Sequence, residues 1–211
     1  MGYLLPEEYE AFGLGAETTD DWVVMASALM EAHCRRRSLL VTQYTERMRL
    51  TAGTQSVRLS YRPLAAAVGA ASALVSVRVR YGQARRGEMV DSMREQIACA
   101  FSVPGSWSVL DVASVDVNYA TGEVTVLQNF LWLRYNEAEI TYTSGAAGAV
   151  AAIPAALKVA CAQIVKNAQA TPAMNVKSSR VDAMQMEYFS GALLDEQVKA
   201  LLRPYVAERL G

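Results

Sequence analysis

The chain has 211 residues, enough for one good core or for a helical core carrying an inserted lobe. It is 52% hydrophobic and 19% charged, which fits a folded protein and excludes bulk disorder. A formal net charge of −1 gives no bulk-electrostatic reason to expect a nucleic-acid binder.

Asp20 or Asp21 can cap a first helix whose apolar positions Trp22, Val23, Ala26, Leu29, Met30 and His33 repeat every 3.6 residues. It runs into Arg35-Arg36-Arg37, where positive charge suits a helix C-terminus. From Leu39 to about Tyr142 the texture is that of strands. Leu39–Tyr44, Ser56–Tyr61 and Leu74–Tyr81 are rich in β-branched and aromatic residues. Asp116 to Val126 reads as strand, tight turn and strand, with Gly122 free to take a positive φ. Glu139–Thr143 closes the series. Inside this region Met89, Val90, Met93, Ile97 and Ala100 fall at helical spacing, which predicts a short helix near 86–101, ended by Val103-Pro104-Gly105.

After Ser144-Gly145 the helical period returns. Ile153, Leu157, Ala160, Cys161, Ile164, Val165 and Ala168 line one stripe, with Pro154 where a first-turn proline is tolerated. Thr171 to Ala192 has no clean period and reads as a flexible segment. A last amphipathic piece begins at Asp195, and Pro204 should break or restart it. The fold class is therefore α+β. A helical body of residues 1–38 and 145–211, with N-terminal, central and C-terminal helices, carries a β-rich lobe, residues 39–144, inserted between the first and second long helices. Much of the apolar content is alanine, which buries little area per side chain.

Catalytic chemistry finds little to build on. Cys34, Cys99 and Cys161 are far apart and odd in number, so neither a disulfide framework nor a Cys-x-x-Cys site follows, and a reducing cytoplasm is the expected setting. The single histidine, His33, adjoins Cys34, but neighbours on a helix point about 100° apart and do not pair side chain to side chain. With one His and scattered Cys a zinc site lacks ligands. Glu7-Glu8 and Asp20-Asp21 read as a solvated face and a helix cap. Gly145-Ala146-Ala147-Gly148 precedes a helix yet lacks the Gly-Lys-Ser/Thr ending of a phosphate loop. Arg35-Arg36-Arg37 and Arg85-Arg86 lack interleaved aromatics and read as solvated helix ends. No catalytic residue, cofactor or metal is expected. Met1 to Glu10 has no apolar stretch of a signal peptide, and the run Ala146 to Ala156 is too short to span a bilayer, so a soluble, unexported protein without a membrane partner is expected.

The order of features resembles the head–tail connector (adaptor, or head-completion) family of long-tailed double-stranded DNA bacteriophages. Tyr3-Leu4-Leu5-Pro6-Glu7-Glu8-Tyr9, then Asp20-Asp21-Trp22 through Ala32-His33-Cys34-Arg35-Arg36-Arg37, is similar to that family's first helix and its basic ending. Tyr44-Thr45-Glu46-Arg47 with Val57 to Leu64 resembles the next element, and Asp116-Val117-Asn118-Tyr119 with Gly122-Glu123-Val124 its hairpin. Ile140 to Gly145 leading into Ile153 to Ala160 is the best match, continued by Lys177 to Val181, Tyr188 and Leu201-Leu202-Arg203-Pro204-Tyr205. The stretch Ala65 to Val109 is longer than in compact members.

The resemblance implies a structural virion protein and not an enzyme. Such proteins form a ring, usually of twelve copies, beneath the portal, extend the DNA channel and connect the head to the next neck or tail protein. Double-stranded DNA passes through without specific binding, which a near-neutral chain permits. The resemblance further implies residence in the neck of the virion after synthesis in the host cytoplasm. Val198, Leu201, Leu202 and Tyr205, at i, i+3, i+4 and i+7, form one apolar stripe, which either packs on the Ile153 to Ala168 helix of the same chain or serves as the portal-docking element, the reading favoured by Pro204 and by the unpatterned segment before it. The alternatives are another neck or tail-completion ring protein and, less favoured by the charge balance and the missing base–nucleophile pair, a small enzyme or a regulatory module.

Overall fold

The computed structural model describes residues 2–50, 55–80, 107–127, 135–170, 178–181, 184–187 and 193–208. The class is α+β, a mixture of helices and antiparallel sheets, but strand outweighs α-helix among these residues, and only three α-helices occur. The expected short helix near 86–101 lies outside the described residues. The chain divides into two units, residues 1–40 with 146–206 and residues 41–145 with 207–211.

In the first unit, α1 spans Asp20–Cys34, α2 spans Ala155–Ala170 and α3 spans Glu196–Leu202. The N-cap of α1 is Thr19 and not an aspartate; Asp20 and Asp21 sit in the first turn, where carboxylates face the unpaired N–H groups of the helix end. Helix α1 stops because Arg35 turns left-handed (φ 54°) and the N–H groups of Arg35 and Arg36 fold back on Ala32 and Glu31. Helix α2 is buried on most of its circumference, from Leu157 to Ala168. Its alanines explain the composition: Ala160 on α2 and Ala26 on α1 have no exposed surface, and small side chains let two helices approach closely. The Ser27 hydroxyl lies 3.9 Å from the Cys161 sulfur at this contact. The segment Thr171 to Ala192, read from sequence as unpatterned and flexible, contains an antiparallel pair, β8 (Ser178–Val181) and β9 (Met184–Glu187). Four-residue strands are too short to show a period, which is why the sequence hides them.

One tyrosine organises this unit. Tyr3 is 1% exposed; its hydroxyl donates to Glu31 and accepts from the N–H of Leu39 at 2.8 Å. Its own N–H donates to the Ser27 hydroxyl at 3.0 Å, and that hydroxyl donates to the Val23 carbonyl at 2.7 Å. Nearby, Lys158, 7% exposed, donates to Glu8.

Among the described residues the second unit has seven strands: β1 (Thr42–Arg49), β2 (Ser56–Arg58), β3 (Leu74–Arg80), β4 (Trp107–Leu110), β5 (Asp116–Asn118), β6 (Glu123–Thr125) and β7 (Glu137–Ser144). They form a four-stranded antiparallel sheet, order β1-β7-β3-β4, and a three-stranded one, order β2-β6-β5. The expected strand at Leu39–Tyr44 starts later and runs on to Arg49, while that at Ser56–Tyr61 stops at Arg58. Strand β1 reaches Arg49 because its eight rungs with β7 continue without a bulge from Thr42↔Ser144 to Arg49↔Glu137. The expected turn between β5 and β6 is present: the Asn118 side chain accepts from Ala120 and Thr121 at 3.1 Å each, and Gly122 takes φ 69°.

Side chains alternate across the larger sheet. Val77, Val79, Ala138, Ile140 and Tyr142 point into a core shared with Val57, Val124 and Val126 of the smaller sheet's region. Tyr142, with no exposed surface, donates its hydroxyl to Glu46 and accepts from the Tyr61 N–H at 3.2 Å. Glu46 also accepts from the Ser60 hydroxyl at 2.9 Å, and the rings of Tyr44 and Tyr61 stack 3.9 Å apart.

Burial pushes both phenols, Tyr3 and Tyr142, far above the ordinary tyrosine range, and the glutamate that each hydroxyl meets raises them further. Both stay neutral donors. Tyr3→Phe and Tyr142→Phe each remove at least two hydrogen bonds from a buried site and are expected to cost about 1–3 kcal/mol, read by denaturant unfolding. A loss below about 0.5 kcal/mol would show that the hydroxyls are not holding their units together.

Candidate functional site

The C-terminal stripe is positioned by its helix cap. The Asp195 carboxylate accepts from the Val198 N–H at 2.7 Å, and the Asn167 amide of α2 reaches Asp195 and the Leu193 carbonyl at 3.3 Å each. Helix α3 ends at Leu202 and passes into a 3-10 turn, Arg203–Tyr205, at Pro204. Of the four residues, Val198 and Leu202 are 0% exposed within the helical core, whereas Leu201 and Tyr205 are partly buried at its rim. The i, i+4 pair is therefore inside and the other pair borders solvent.

Arg36 belongs to the same place. It is 6% exposed and its Nε donates to the Tyr205 carbonyl at 2.5 Å, tying the end of α1 to the C-terminal turn. The basic run is thus only partly a solvated helix end: Arg35 and Arg37 are exposed and Arg36 is not. The Tyr205 carbonyl, at the end of the 3-10 turn, is a helix-end acceptor, which gives this guanidinium a reason to turn inward. Arg85 and Arg86 lie outside the described residues.

The residues weighed for chemistry are occupied with structure. Cys34 and Cys161 are fully buried, and burial pushes each thiol up to about 11, so neither is a thiolate near neutrality. His33 is half-buried beside Cys34. Asp20 accepts from the Tyr9 hydroxyl at 2.7 Å, and Glu8 holds Lys158. In the Gly145–Gly148 loop the N–H of Gly145 is given to Pro63 at 3.2 Å and that of Ala146 to Leu39 at 2.7 Å, so these two amides are not available to cradle a phosphate. Among the described residues no three His, Cys, Asp or Glu side chains group to hold a metal ion, and no helix is long and apolar enough to cross a membrane.

One arrangement escaped the reading of the sequence. On the outer face of the larger sheet Glu137 receives Arg47 at 2.6 Å and Arg80 at 2.8 Å, and Glu139 receives Arg78. The guanidinium carbons of Arg47, Arg78 and Arg80 lie 5.3, 5.7 and 5.0 Å from the centroid of the Trp107 ring. With Arg49 on the same face the described charges are four positive and two negative. The signal was there as i, i+2 pairs: Arg47 and Arg49, Arg78 and Arg80, Glu137 and Glu139. Which strands would lie side by side could not be read from it.

No protein-family model matches this chain, and no curated protein does either. Solved structures give partial likenesses. A chain from the virion of a native gene transfer agent (GTA) particle is 14% identical, with 98% of this chain and 91% of that chain covered and a TM-score of 0.49. A chain from the neck of an empty GTA particle, computed with C6 symmetry, is 13% identical over 98% and 91%, at 0.48. A chain from the neck of a native GTA particle, computed with C12 symmetry, is 15% identical over 90% and 82%, at 0.44.

Two outcomes are expected from this chemistry. The Lys158 ammonium holds the Glu8 carboxyl below the usual carboxylate value of 4.5, and the Arg47 guanidinium, with Arg80, does the same for Glu137. A carboxyl depressed in the folded state contributes stability above its unfolded pKa and loses it as pH falls through the folded one. Thermal unfolding should therefore show an acid limb below about pH 5, less steep in Glu8→Gln and Glu137→Gln. Peptide mapping after alkylation at pH 7.5, roughly one unit below an ordinary cysteine pKa, should find Cys34 and Cys161 unmodified in the native protein and labelled once it is denatured.

Proposed function

We propose that this chain is an adaptor of a phage or phage-like particle, a structural protein whose copies form a ring beneath the portal. The ring, of twelve copies, extends the DNA channel and presents the surface on which the next neck or tail protein docks. The observation that supports this reading is where the motifs of the family resemblance fall. Tyr3, Arg36, Tyr142, Leu157 and Tyr205 come from its separate pieces, and each sits at a packing or hydrogen-bonding node of its unit. The resemblance thus rests on residues that determine the fold. The paired arginines of the sheet's outer face suit a conduit as well, because guanidiniums already held by glutamates neutralise few phosphates as DNA passes.

Attachment to the portal runs through the C-terminal stripe. Val198 and Leu202 have no exposure, so they reach a partner only if the segment leaves the core; Leu201 and Tyr205 reach one from where they stand.

The test is to mix the chain with the portal protein of the same particle and weigh the complexes by mass photometry. A multi-copy ring on the portal is expected, and folded components that never associate would refute the reading. Leu201→Ser should weaken that association at least tenfold with an unfolding midpoint close to wild type. Val198→Ala should instead cost about 1–3 kcal/mol of stability, because it opens a cavity in the helical core.

A further inference from the structure

We infer that neighbouring copies join edge to edge through the larger sheet, the β1 edge of one copy pairing with the β4 edge of the next. The inference rests on the ring proposed above and adds the surface that closes it.

The phase of the hydrogen bonds defines the two edges. The N–H of Leu50 donates to Asn136 at 3.0 Å, one rung beyond Arg49↔Glu137. Strand backbones alternate, so Thr42, Tyr44, Glu46 and Met48 turn their N–H and C=O groups toward β7. Those of Gln43, Thr45, Arg47 and Arg49 point away from the sheet. Across it, the N–H of Thr143 donates to Ala73 at 2.7 Å, which sets the odd-numbered residues of β7 toward β3. Through the Arg78↔Glu139 and Arg78↔Val109 rungs the same alternation leaves the backbones of Trp107 and Val109 pointing outward from β4. Among the described residues no strand pairs with either edge.

Four antiparallel strands give these edges complementary properties. Strands β1 and β4 run in opposite directions, so a second copy in the same orientation brings its β4 antiparallel to β1. At both edges the outward-pointing backbones belong to residues whose side chains lie on the outer face, the face of Arg47 and Trp107. Directly opposed residues of an antiparallel pair must share a face, and this pairing satisfies that rule.

The eight residues of β1 carry no proline, glycine or bulge, three of the usual protections of an edge; the charges on β1, Glu46, Arg47 and Arg49, are the protection it does have, and Glu46 and Arg47 are engaged by Tyr142 and Glu137 within the chain. Val109, beside the other edge, is 73% exposed. Charge favours the head-to-tail arrangement over two β1 strands meeting about a two-fold axis. The two-fold pairing gathers Arg47 and Arg49 from both copies, whereas β4, Trp-Ser-Val-Leu, bears no charge. Head-to-tail pairing also occupies both edges of every copy and is the kind of contact that closes into a ring.

Cross-linking in assemblies formed on the portal tests the pairing. Thr45→Cys and Arg47→Cys are each combined with Val109→Cys, then treated with an oxidant or a short bis-maleimide. A ladder of covalent multimers is expected from the double variants and none from wild type or the single variants. Rings that form without a ladder would overturn the edge pairing and leave the adaptor reading standing. A dimer from Thr45→Cys alone would overturn it in favour of the two-fold arrangement. Wild-type chain that forms no assembly overturns the ring, and this inference with it. As a second measure, Thr45→Pro, which removes one outward N–H, should reduce assembly at least tenfold while Thr45→Val does not.

Discussion

A phenol removed from water costs free energy unless its hydroxyl finds a hydrogen-bond partner, and each unit of this protein is arranged around one that does. Tyr3 and Tyr142 use the same solution on unrelated secondary structure: the hydroxyl donates to a glutamate and accepts a backbone N–H. The cost of leaving such a group unpaired, about 1–3 kcal/mol, makes the arrangement selective as well as stabilising. Tyr3 can be buried only if Glu31 on α1 and the N–H of Leu39 come to it, which fixes the N-terminal segment against the helix and the strand-like exit from it. Tyr142 can be buried only if Glu46 on the neighbouring strand faces inward, and Glu46 then gathers Ser60. Two side chains thus specify contacts that hydrophobic burial alone, which has no direction, would leave loose.

The same economy governs the ionisable groups. Lys158 holds Glu8, Arg36 serves a helix-end carbonyl, and Arg47, Arg78 and Arg80 divide two glutamates on the sheet. The thiols of Cys34 and Cys161 are kept protonated by their burial. These groups are committed to positions in the fold, as the adaptor reading proposed above requires of a protein whose work is geometric.

An even number of antiparallel strands has a consequence of this geometric kind. It gives the sheet two edges of opposite direction and matching hydrogen-bond phase, the two halves of the joint proposed above. The outer face then repeats arginine, glutamate and tryptophan across the strands. Ion pairs exposed to this degree contribute little to stability individually, and their main effect is on which surfaces tolerate one another.

The sequence determined those features that depend on spacing within a few residues. The period from Trp22 to His33 marked α1, the stripe from Ile153 to Ala168 marked α2, and Asn118 with Gly122 marked the turn between β5 and β6. It also determined that Val198, Leu201, Leu202 and Tyr205 share one side of a helix. The tertiary structure decided what that side meets: Val198 and Leu202 enter the chain's own core and Leu201 and Tyr205 stay at its rim. It also decided which strands are neighbours, and so brought Arg47 from β1 and Arg78 and Arg80 from β3 around Trp107, and it turned Arg36 inward between two exposed arginines. Periodicity records which side chains share a face, because local backbone geometry fixes that within a turn or two. What the face packs against is set by contacts between residues far apart in the chain, and those exist only once it has folded.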